Sequence, residues 1–239
     1  MINDQKLILS IDDVAFGGKG IARLNGKVYF VDNAVSGDIV NVVVTEDKKK
    51  YCSARIVKHV QYSSLRSKQS KCKFFPVCGG CQWLDIEYEK QLEWKKKFIL
   101  SALNRIGKLN NKLDIQIIPS VQTIYYRSRI LLRAQIVNNN IQVGYFKKNT
   151  RELVPIDQCA VAKKSINYFI KELIHSNFSG IDDQKFRIEI QDIPFFSDEL
   201  NGKIVVGIYP VDSSVQTLDA VVDIIKKIDN VLWATTVKD

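Results

Sequence analysis

The N-terminal quarter of the chain alternates apolar and polar residues in short runs, a pattern that is typical of β-strands. These runs are rich in Val, Ile and Tyr, and turn-forming pairs such as Asn25-Gly26 separate them. The alternation predicts strands over residues 6–11, 21–23, 27–31, 38–45 and 51–60. Short strands joined by tight turns suit a small barrel, so we expect an all-β, OB-like barrel of the kind that binds oligonucleotides.

In the middle of the chain the apolar period changes to that of a helix, which predicts a long helix over residues 86–106. Asp85 and Gly107 are placed to cap its two ends. Lysines occupy most of the other face, where they suit solvent as well as phosphate groups. The residues spaced to form its buried face are Tyr88, Leu92, Phe98, Ile99, Ala102, Leu103 and Ile106.

Beyond residue 114 the strand and helix patterns are mixed, which predicts an α+β arrangement. Helices are expected over residues 161–175 and 215–228. The strand patterns cover residues 130–137, 141–146, 186–191, 203–209 and 231–236.

The chain is therefore predicted to have a mixed fold with three domains. Residues 1–60 form the barrel, and residues 61–108 form a small cysteine module with the long helix. Residues 109–239 form an α+β central domain that contributes one further cysteine.

The composition indicates a folded protein rather than a disordered or membrane-spanning one. Hydrophobic residues make up 46% of the 239 positions, and no apolar run is long enough to cross a bilayer. The first residues lack the basic and apolar segments of a signal peptide. We therefore expect a cytoplasmic protein, taken to be a monomer, with no membrane partner.

The positive charge of the chain is concentrated in its middle. The formal net charge is +9, to which residues 1–58 contribute +2 and residues 165–239 contribute −5. Residues 59–108 and 109–164 each carry +6. A basic region of this length predicts a polyanionic partner, most simply a nucleic acid, although scattered surface lysines would give the same count.

Four of the five cysteines form a pattern that suits a soft metal centre. Cys72, Cys78 and Cys81 stand in K-C-K-F-F-P-V-C-G-G-C, and Cys159 follows after 77 further residues. Structural zinc sites usually pair two short knuckles, whereas one knuckle with a remote fourth cysteine favours a 4Fe–4S cluster. The cluster is thus the preferred interpretation, and zinc is the alternative.

Basic residues stand at three candidate places, and at the two nearer the cysteines they are interleaved with aromatic residues, which suits phosphate contact and base stacking. Lys19 and Arg23 lie in and after a glycine turn that lacks the spacing and the following helix of a phosphate-binding loop. Exposed strand residues without any ligand would give the same pattern. The candidates nearer the cysteines are Tyr126, Arg127, Arg129, Lys147 and Lys148.

The remaining candidate residues suggest structural roles. Cys52 follows the strand alternation, so we expect a buried thiol rather than a nucleophile. His59 and His175 each stand alone, without the spacing of metal ligands.

The order of these motifs resembles the bacterial S-adenosylmethionine-dependent RNA uracil-C5 methyltransferases that act on 23S ribosomal RNA. This resemblance rests on six features in the order barrel, C-x5-C-G-G-C, a helix ending in Arg-Ile-Gly, Tyr-Arg-x-Arg, Gly-Tyr-Phe and Val-Pro-Ile-Asp-Gln-Cys. It spans residues 5–237 and is weaker beyond residue 165. The resemblance implies an RNA-binding TRAM barrel, a 23S rRNA partner rather than DNA, and a 4Fe–4S cluster on Cys72, Cys78, Cys81 and Cys159.

The catalytic half of such an enzyme has no counterpart among these residues. Family chemistry needs a cysteine that adds to C6 of uracil, a base for the C5 proton, and a glycine-rich loop for S-adenosylmethionine. No D-x-Y-x-G-x-G segment or spare cysteine in a suitable context is present. We therefore expect an RNA-recognition portion with no catalytic residues, which binds RNA but does not methylate by itself.

Two other functions are alternatives to this one. A stand-alone, non-enzymatic RNA-binding iron–sulfur protein, acting as an rRNA chaperone or a redox sensor, is the main alternative. Radical chemistry on S-adenosylmethionine is disfavoured, because it uses C-x3-C-x2-C with an open iron position rather than the C-x5-C seen here.

Overall fold

The structure is a computed structural model that describes residues 6–67, 70–109, 113–193, 202–211 and 218–237. The chain forms two compact units, each made of two stretches of sequence. The first unit contains residues 1–71 and 81–120, and the second contains residues 72–80 and 121–239. The division into three domains therefore stays a prediction. Residues 72–80, which include Cys72 and Cys78, are grouped with the second unit, and the long helix is grouped with the first.

The described residues of the first unit form one six-stranded sheet and one long helix. Its strands follow the order β1-β5-β6-β4-β3-β2 across the sheet, with β4 and β6 parallel and the other pairs antiparallel. The elements are β1 (Lys6–Ser10), β2 (Asp13–Val14), β3 (Gly20–Leu24), β4 (Lys27–Asp32), β5 (Ile39–Asp47), β6 (Tyr51–Gln61) and α1 (Tyr88–Arg105).

This sheet returns on itself, as the predicted barrel requires. Its edge strands β1 and β2 are successive parts of one bent segment, and within the bend the N–H of Asp12 donates to the carbonyl of Ile21 (2.8 Å). The OB-like topology itself stays a prediction. One face of the sheet forms a single core made of Leu9, Ile11, Ala22, Val31, Ala34, Val40, Val42 and Ala54.

Helix α1 lies close to its predicted limits, but the prediction that Asp85 caps its start is wrong. Glu87 occupies the N-cap position and makes no side-chain cap hydrogen bond. The carboxylate of Asp85 instead accepts a hydrogen bond from Arg66.

The predicted buried face of α1 is wrong in part, although Phe98 packs against the core as predicted. Trp94, which was outside the predicted stripe, is buried and packs against Trp83 and Phe98. Ile99 and Ile106, which were inside it, are 48% and 82% exposed. The helix is therefore oriented by an aromatic cluster that includes Trp83, a residue outside the helix.

The described residues of the second unit form another six-stranded sheet and two helices, and each element corresponds to a predicted one except the strand at residues 153–155, which was not predicted. The strand order is β12-β11-β10-β7-β8-β9, with only β11 and β12 parallel among these described strands. Residues 215–217 of the second predicted helix lie outside the described residues. The elements are β7 (Arg129–Val137), β8 (Asn140–Phe146), β9 (Leu153–Pro155), α2 (Lys164–Ile174), β10 (Gln184–Asp192), β11 (Ile204–Pro210), α3 (Asp219–Ile225) and β12 (Val231–Thr236).

Only one face of this sheet forms the core. Alternate residues of β7, β10 and β11 are buried, while the residues between them are at least partly exposed. Helix α2 packs against β8 and β10, and α3 packs against β12. Because each helix needs buried partners for its apolar residues, both lie on the buried face.

Candidate functional site

The cysteine loop, residues 72–80, packs against the end of β8 in the second unit. The N–H of Gly79 donates to the carbonyl of Phe146 (3.0 Å), and Cys78 forms an isolated antiparallel bridge with Lys147. A Cβ atom at Gly79 would lie 2.5 Å from the carbonyl oxygen of Phe146. This position therefore requires glycine if the loop is to approach the strand so closely.

Cys159 is fixed by the first turn of α2. Its N–H donates to Oδ1 of Asn167 (2.6 Å), and Nδ2 of Asn167 donates back to the carbonyl of Cys159 (3.0 Å). An ion pair between Lys73 and Asp157 (2.5 Å) ties the cysteine loop to the segment that leads into Cys159. Two parts of the sequence that are far apart are thereby held together.

Three of the four predicted ligands interact within the second unit. Burial raises the pKa of the Cys78 thiol, the N–H of Gly80 opposes this effect, and the nearby Cys159 and Cys72 thiols raise the pKa further. Cys81, the fourth, follows Gly80 directly in the sequence and is grouped with the first unit.

The cysteines are gathered but do not form a metal-binding arrangement in this structure. All five lie in the described part of the chain, and they are thiols rather than disulfides. Among the described residues, no three or more Cys, His, Asp or Glu side chains are arranged to hold a metal ion. The chemistry of the donors still suits a soft metal centre, because thiolate sulfur binds zinc and iron–sulfur clusters.

The basic residues predicted from sequence border this cysteine loop. Lys147 is the bridge partner of Cys78, and it also lies 3.6 Å from Glu152. Lys148 is the next residue and is half-buried. The N–H of Arg127 donates to the carbonyl of Val161 (2.7 Å), two residues beyond Cys159.

The side chains predicted to contact nucleic acid differ in how they are engaged. Tyr126 is 48% exposed, and the guanidinium of Arg127 lies 5.9 Å from the centre of its ring. Arg129 is exposed and forms an ion pair with Glu189 (2.5 Å). Because the side chain of Arg129 is 65% exposed, its guanidinium can reach a phosphate group as well as Glu189.

The two candidates in the first unit are less distinctive. Lys19 lies 3.6 Å from Asp32, and Arg23 lies 3.8 Å from Asp12. Gly17 has a φ of 90° and Gly18 a φ of 87°, which confirms that the glycine run is a turn.

Sequence reasoning missed a buried ionic network in the first unit. The carboxylate of Asp38 is fully buried and accepts hydrogen bonds from Nε (3.1 Å) and Nη2 (2.7 Å) of Arg66. It also accepts hydrogen bonds from the N–H groups of Val35 and Ser63 (2.9 Å each). The partners are 28 residues apart in sequence, so no local spacing could have revealed this network.

The structural role expected for Cys52 is confirmed. Its side chain is 2% exposed and its thiol donates to Oδ1 of Asp47 (3.4 Å). Burial, reinforced by Asp47, raises its pKa and disfavours the nucleophilic thiolate.

Comparison with known proteins places this site in a family context. The TRAM domain model matches residues 5–57, which cover the first sheet except for the end of β6. An uncharacterized RNA methyltransferase of Aquifex aeolicus is 32% identical over 195 residues, which cover 77% of this chain and 45% of that protein. The 23S rRNA (uracil(1939)-C(5))-methyltransferase RlmD of Haemophilus parainfluenzae is 35% identical over 173 residues, covering 71% and 38%.

The chain belongs to the TRAM-domain RNA methyltransferase family. It spans less than half the length of these two methyltransferase relatives. A solved structure, the Pyrococcus abyssi tRNA (uracil-54, C5)-methyltransferase in complex with S-adenosyl-L-homocysteine, has the same fold over 97% of this chain and 52% of its own. Its TM-score is 0.58 at 22% identity. In this chain, no helix of the described ranges is long and apolar enough to span a membrane.

Proposed function

We propose that this chain is the RNA-recognition and cluster-binding portion of an S-adenosylmethionine-dependent methyltransferase that modifies C5 of uracil in 23S ribosomal RNA. The observation that carries the proposal is the bridge between Cys78 and Lys147, which joins the cysteine loop to basic residues in the unit that also contains Cys159 and Arg127. The named RlmD relatives support the choice of 23S rRNA over other RNA. The monomeric state remains a prediction.

The four cysteines are proposed to hold a 4Fe–4S cluster. Cys72, Cys78 and Cys159 lie in the second unit, and the sequence pattern supplies Cys81 as the fourth ligand. The close approach at Gly79 and the N–H that Gly80 directs at the sulfur of Cys78 fit a loop wrapped around thiolate sulfur. Such a cluster supplies structural support by tying the loop to the segment at Cys159.

Anaerobic purification with iron, sulfide and zinc analysis tests the cluster. We expect about four iron and four sulfide per chain, with the broad visible absorbance of a 4Fe–4S centre. Cys159→Ser should lose most of this iron, whereas Cys52→Ser is the matched control and should keep it because Cys52 belongs to the first sheet. One zinc per chain with no sulfide would contradict the proposal.

RNA binding is tested with single-stranded, uridine-containing fragments of 23S rRNA. Replacing Lys147 and Lys148 together by Ala should weaken binding roughly tenfold, since each charged contact to phosphate is worth more than a neutral one. Lys171→Ala is the matched control, because this exposed lysine lies on α2. If the double variant binds RNA as tightly as the Lys171→Ala variant does, Lys147 and Lys148 are surface residues that do not contact RNA.

Residues 1–239 are proposed to bind RNA without transferring a methyl group. This chain matches less than half of its methyltransferase relatives, and we propose that S-adenosylmethionine is bound by residues outside the matched part. Incubation with S-adenosylmethionine and 23S rRNA fragments should give no methylated uridine, and turnover would overturn this point. The alternative function, a stand-alone iron–sulfur RNA-binding protein, predicts the same result for residues 1–239. The two hypotheses differ for any longer protein that contains these residues, because only the proposed function predicts that it methylates uridine.

A further inference from the structure

The face of the second sheet that does not form the core carries a mixture of basic and aromatic side chains. Along β7, the residues that alternate with the buried Ile130, Leu132 and Ala134 include Arg133, and along β10 they include Arg187. We call this surface the open face. Its residues on the central strands are Arg129, Leu131, Arg133, Gln135, Lys185, Arg187, Glu189, Gln191, Val205, Gly207 and Tyr209.

Four residues form a row across four adjacent strands of the open face. Arg133 of β7 lies directly opposite Arg187 of β10, and Arg187 lies directly opposite Tyr209 of β11. Phe146 of β8 is diagonal to Arg133, whose direct partner is Gly144. The guanidinium of Arg133 lies 5.0 Å from the centre of the Phe146 ring, and that of Arg187 lies 5.2 Å from the centre of the Tyr209 ring. We call Phe146, Arg133, Arg187 and Tyr209 the stacking row.

The pairing of two arginines at the centre of the stacking row calls for an explanation. Like charges directly opposite each other on neighbouring strands destabilise a sheet. Two cations held side by side, each over an aromatic ring, are suited to a ligand that carries both negative charge and flat rings.

A cavity of about 700 Å³ lies beside the stacking row and is also basic. Arg133 and Phe146 belong to both the row and the cavity wall. Arg151 and Lys185 add two further cations, against the single acidic side chain of Glu152. The cations of the cavity can therefore contact phosphate groups, next to a surface on which bases can stack.

We propose that the stacking row and this cavity bind consecutive unpaired nucleotides of the RNA. Bases stack on Phe146 and Tyr209 and on the two guanidinium planes between them, while phosphates contact Arg151 and Lys185. The proposal rests on the proposed function. It adds a surface on the second sheet that binds single-stranded RNA without strong sequence preference. Duplex RNA does not fit, because its bases are already stacked on one another.

The test uses the full 239-residue chain and a single-stranded 23S rRNA fragment that contains 2-aminopurine, whose fluorescence falls when it stacks. Phe146→Leu and Tyr209→Leu should each weaken binding about tenfold and reduce the quenching. Arg133→Lys and Arg187→Lys keep the charge but remove the guanidinium plane, so they should weaken binding several-fold. Tyr168→Leu is the control, because this exposed tyrosine lies on α2 rather than on the open face.

The outcomes separate this proposal from the broader one. If the unaltered chain binds RNA and all four variants keep its affinity and quenching, the stacking row is not a platform and a protein segment becomes the better occupant of the open face. If the unaltered chain binds no RNA, the proposed function fails as well. Thermal unfolding of each variant shows whether it is folded, and the two Arg→Lys variants test the platform even if a Leu variant unfolds.

Discussion

The two units contain sheets of the same size that are used in opposite ways. The first sheet bends at Asp12 and returns on itself, so that one of its faces becomes an enclosed core. The second sheet carries α2 and α3 on one face and leaves the other face lined with arginines and aromatic rings. A sheet covered on one side can present a broad ligand surface without giving up its core, whereas a sheet closed on itself presents mainly its turns.

Each unit buries a carboxylate, Asp38 in the first and Asp192 in the second, but the apolar side chains of their cores differ. The second unit buries large aromatic side chains, among them Phe169, Phe178 and Phe186. The first unit buries the carboxylate of Asp38 and neutralises it with Arg66. The predictions below therefore probe an apolar core in one unit and a buried ion pair in the other.

The largest effect is expected from the apolar core. Phe169 of α2 is fully buried, so Phe169→Ala should lower the free energy of unfolding of the second unit by about 4 kcal/mol. Trp233 lies in this unit and reports its denaturant unfolding by fluorescence. Tyr168→Ala, which removes a neighbouring exposed ring, is the control and should cost less than about 1 kcal/mol. Equal losses for the two variants would contradict the assigned core.

The buried ion pair should come next. Arg66→Ala leaves the fully buried carboxylate of Asp38 without its main partner, so the first unit should lose about 3 kcal/mol. Trp83 and Trp94 report the unfolding of this unit. The control is Lys27→Ala, which removes an exposed partner of Asp47 and should leave the stability of the first unit nearly unchanged.

The close approach of the cysteine loop should give a smaller effect. Gly79→Ala places a methyl group against the carbonyl of Phe146 and should cost about 2 kcal/mol while lowering cluster content. At Gly80 the nearest atoms to an added Cβ are 3.4 Å away, which is ordinary contact. Gly80→Ala should therefore keep more iron than Gly79→Ala, and the reverse order of iron contents would show that the loop is placed differently.

The smallest effect is expected from pH, and it should be confined to the first unit. Burial lowers the pKa of His59, with partial compensation by Asp38. Burial alone would raise the pKa of Asp38, but hydrogen bonds from Arg66, Ser63 and Val35 outweigh it and hold the pKa below its usual value.

In both cases the unfolded chain binds protons more readily than the folded one, so the stability of the first unit falls as the pH falls. The loss from His59 should begin below about pH 6.5 and that from Asp38 below about pH 3.9. His59→Gln should remove the first step in denaturant titrations followed by Trp83 and Trp94. A first unit that gains stability between neutral pH and about pH 5 would contradict these directions.

The strands and helices were predictable from sequence because they depend on local alternation and on turn residues. The hairpin between β7 and β8 is an example, since Asn138 and Asn139 adopt positive φ angles of 51° and 64° that suit asparagine. The orientation of α1 was not predictable in this way, because Trp83 lies outside the helix and its packing against Trp94 is a tertiary choice.

The candidate site was also predictable from sequence only in part. The cysteine pattern and the basic turn at Lys147 could be read directly, because their residues are close in sequence or match a spacing. The stacking row could not, since it depends on Arg187 facing both Arg133 and Tyr209 across three strands. That register is fixed by the pairing of β10 with β7 and β11, which the sequence of β10 alone does not specify.

The most direct test of RNA recognition is the salt dependence of binding to a single-stranded 23S rRNA fragment. Each phosphate neutralised on a single strand should contribute about −0.7 to the slope of log K against log salt. The basic residues around the cysteine loop and the open face predict a slope of about −3 or steeper. A slope near zero, or no measurable binding at low salt, would contradict the claim that this chain recognises RNA.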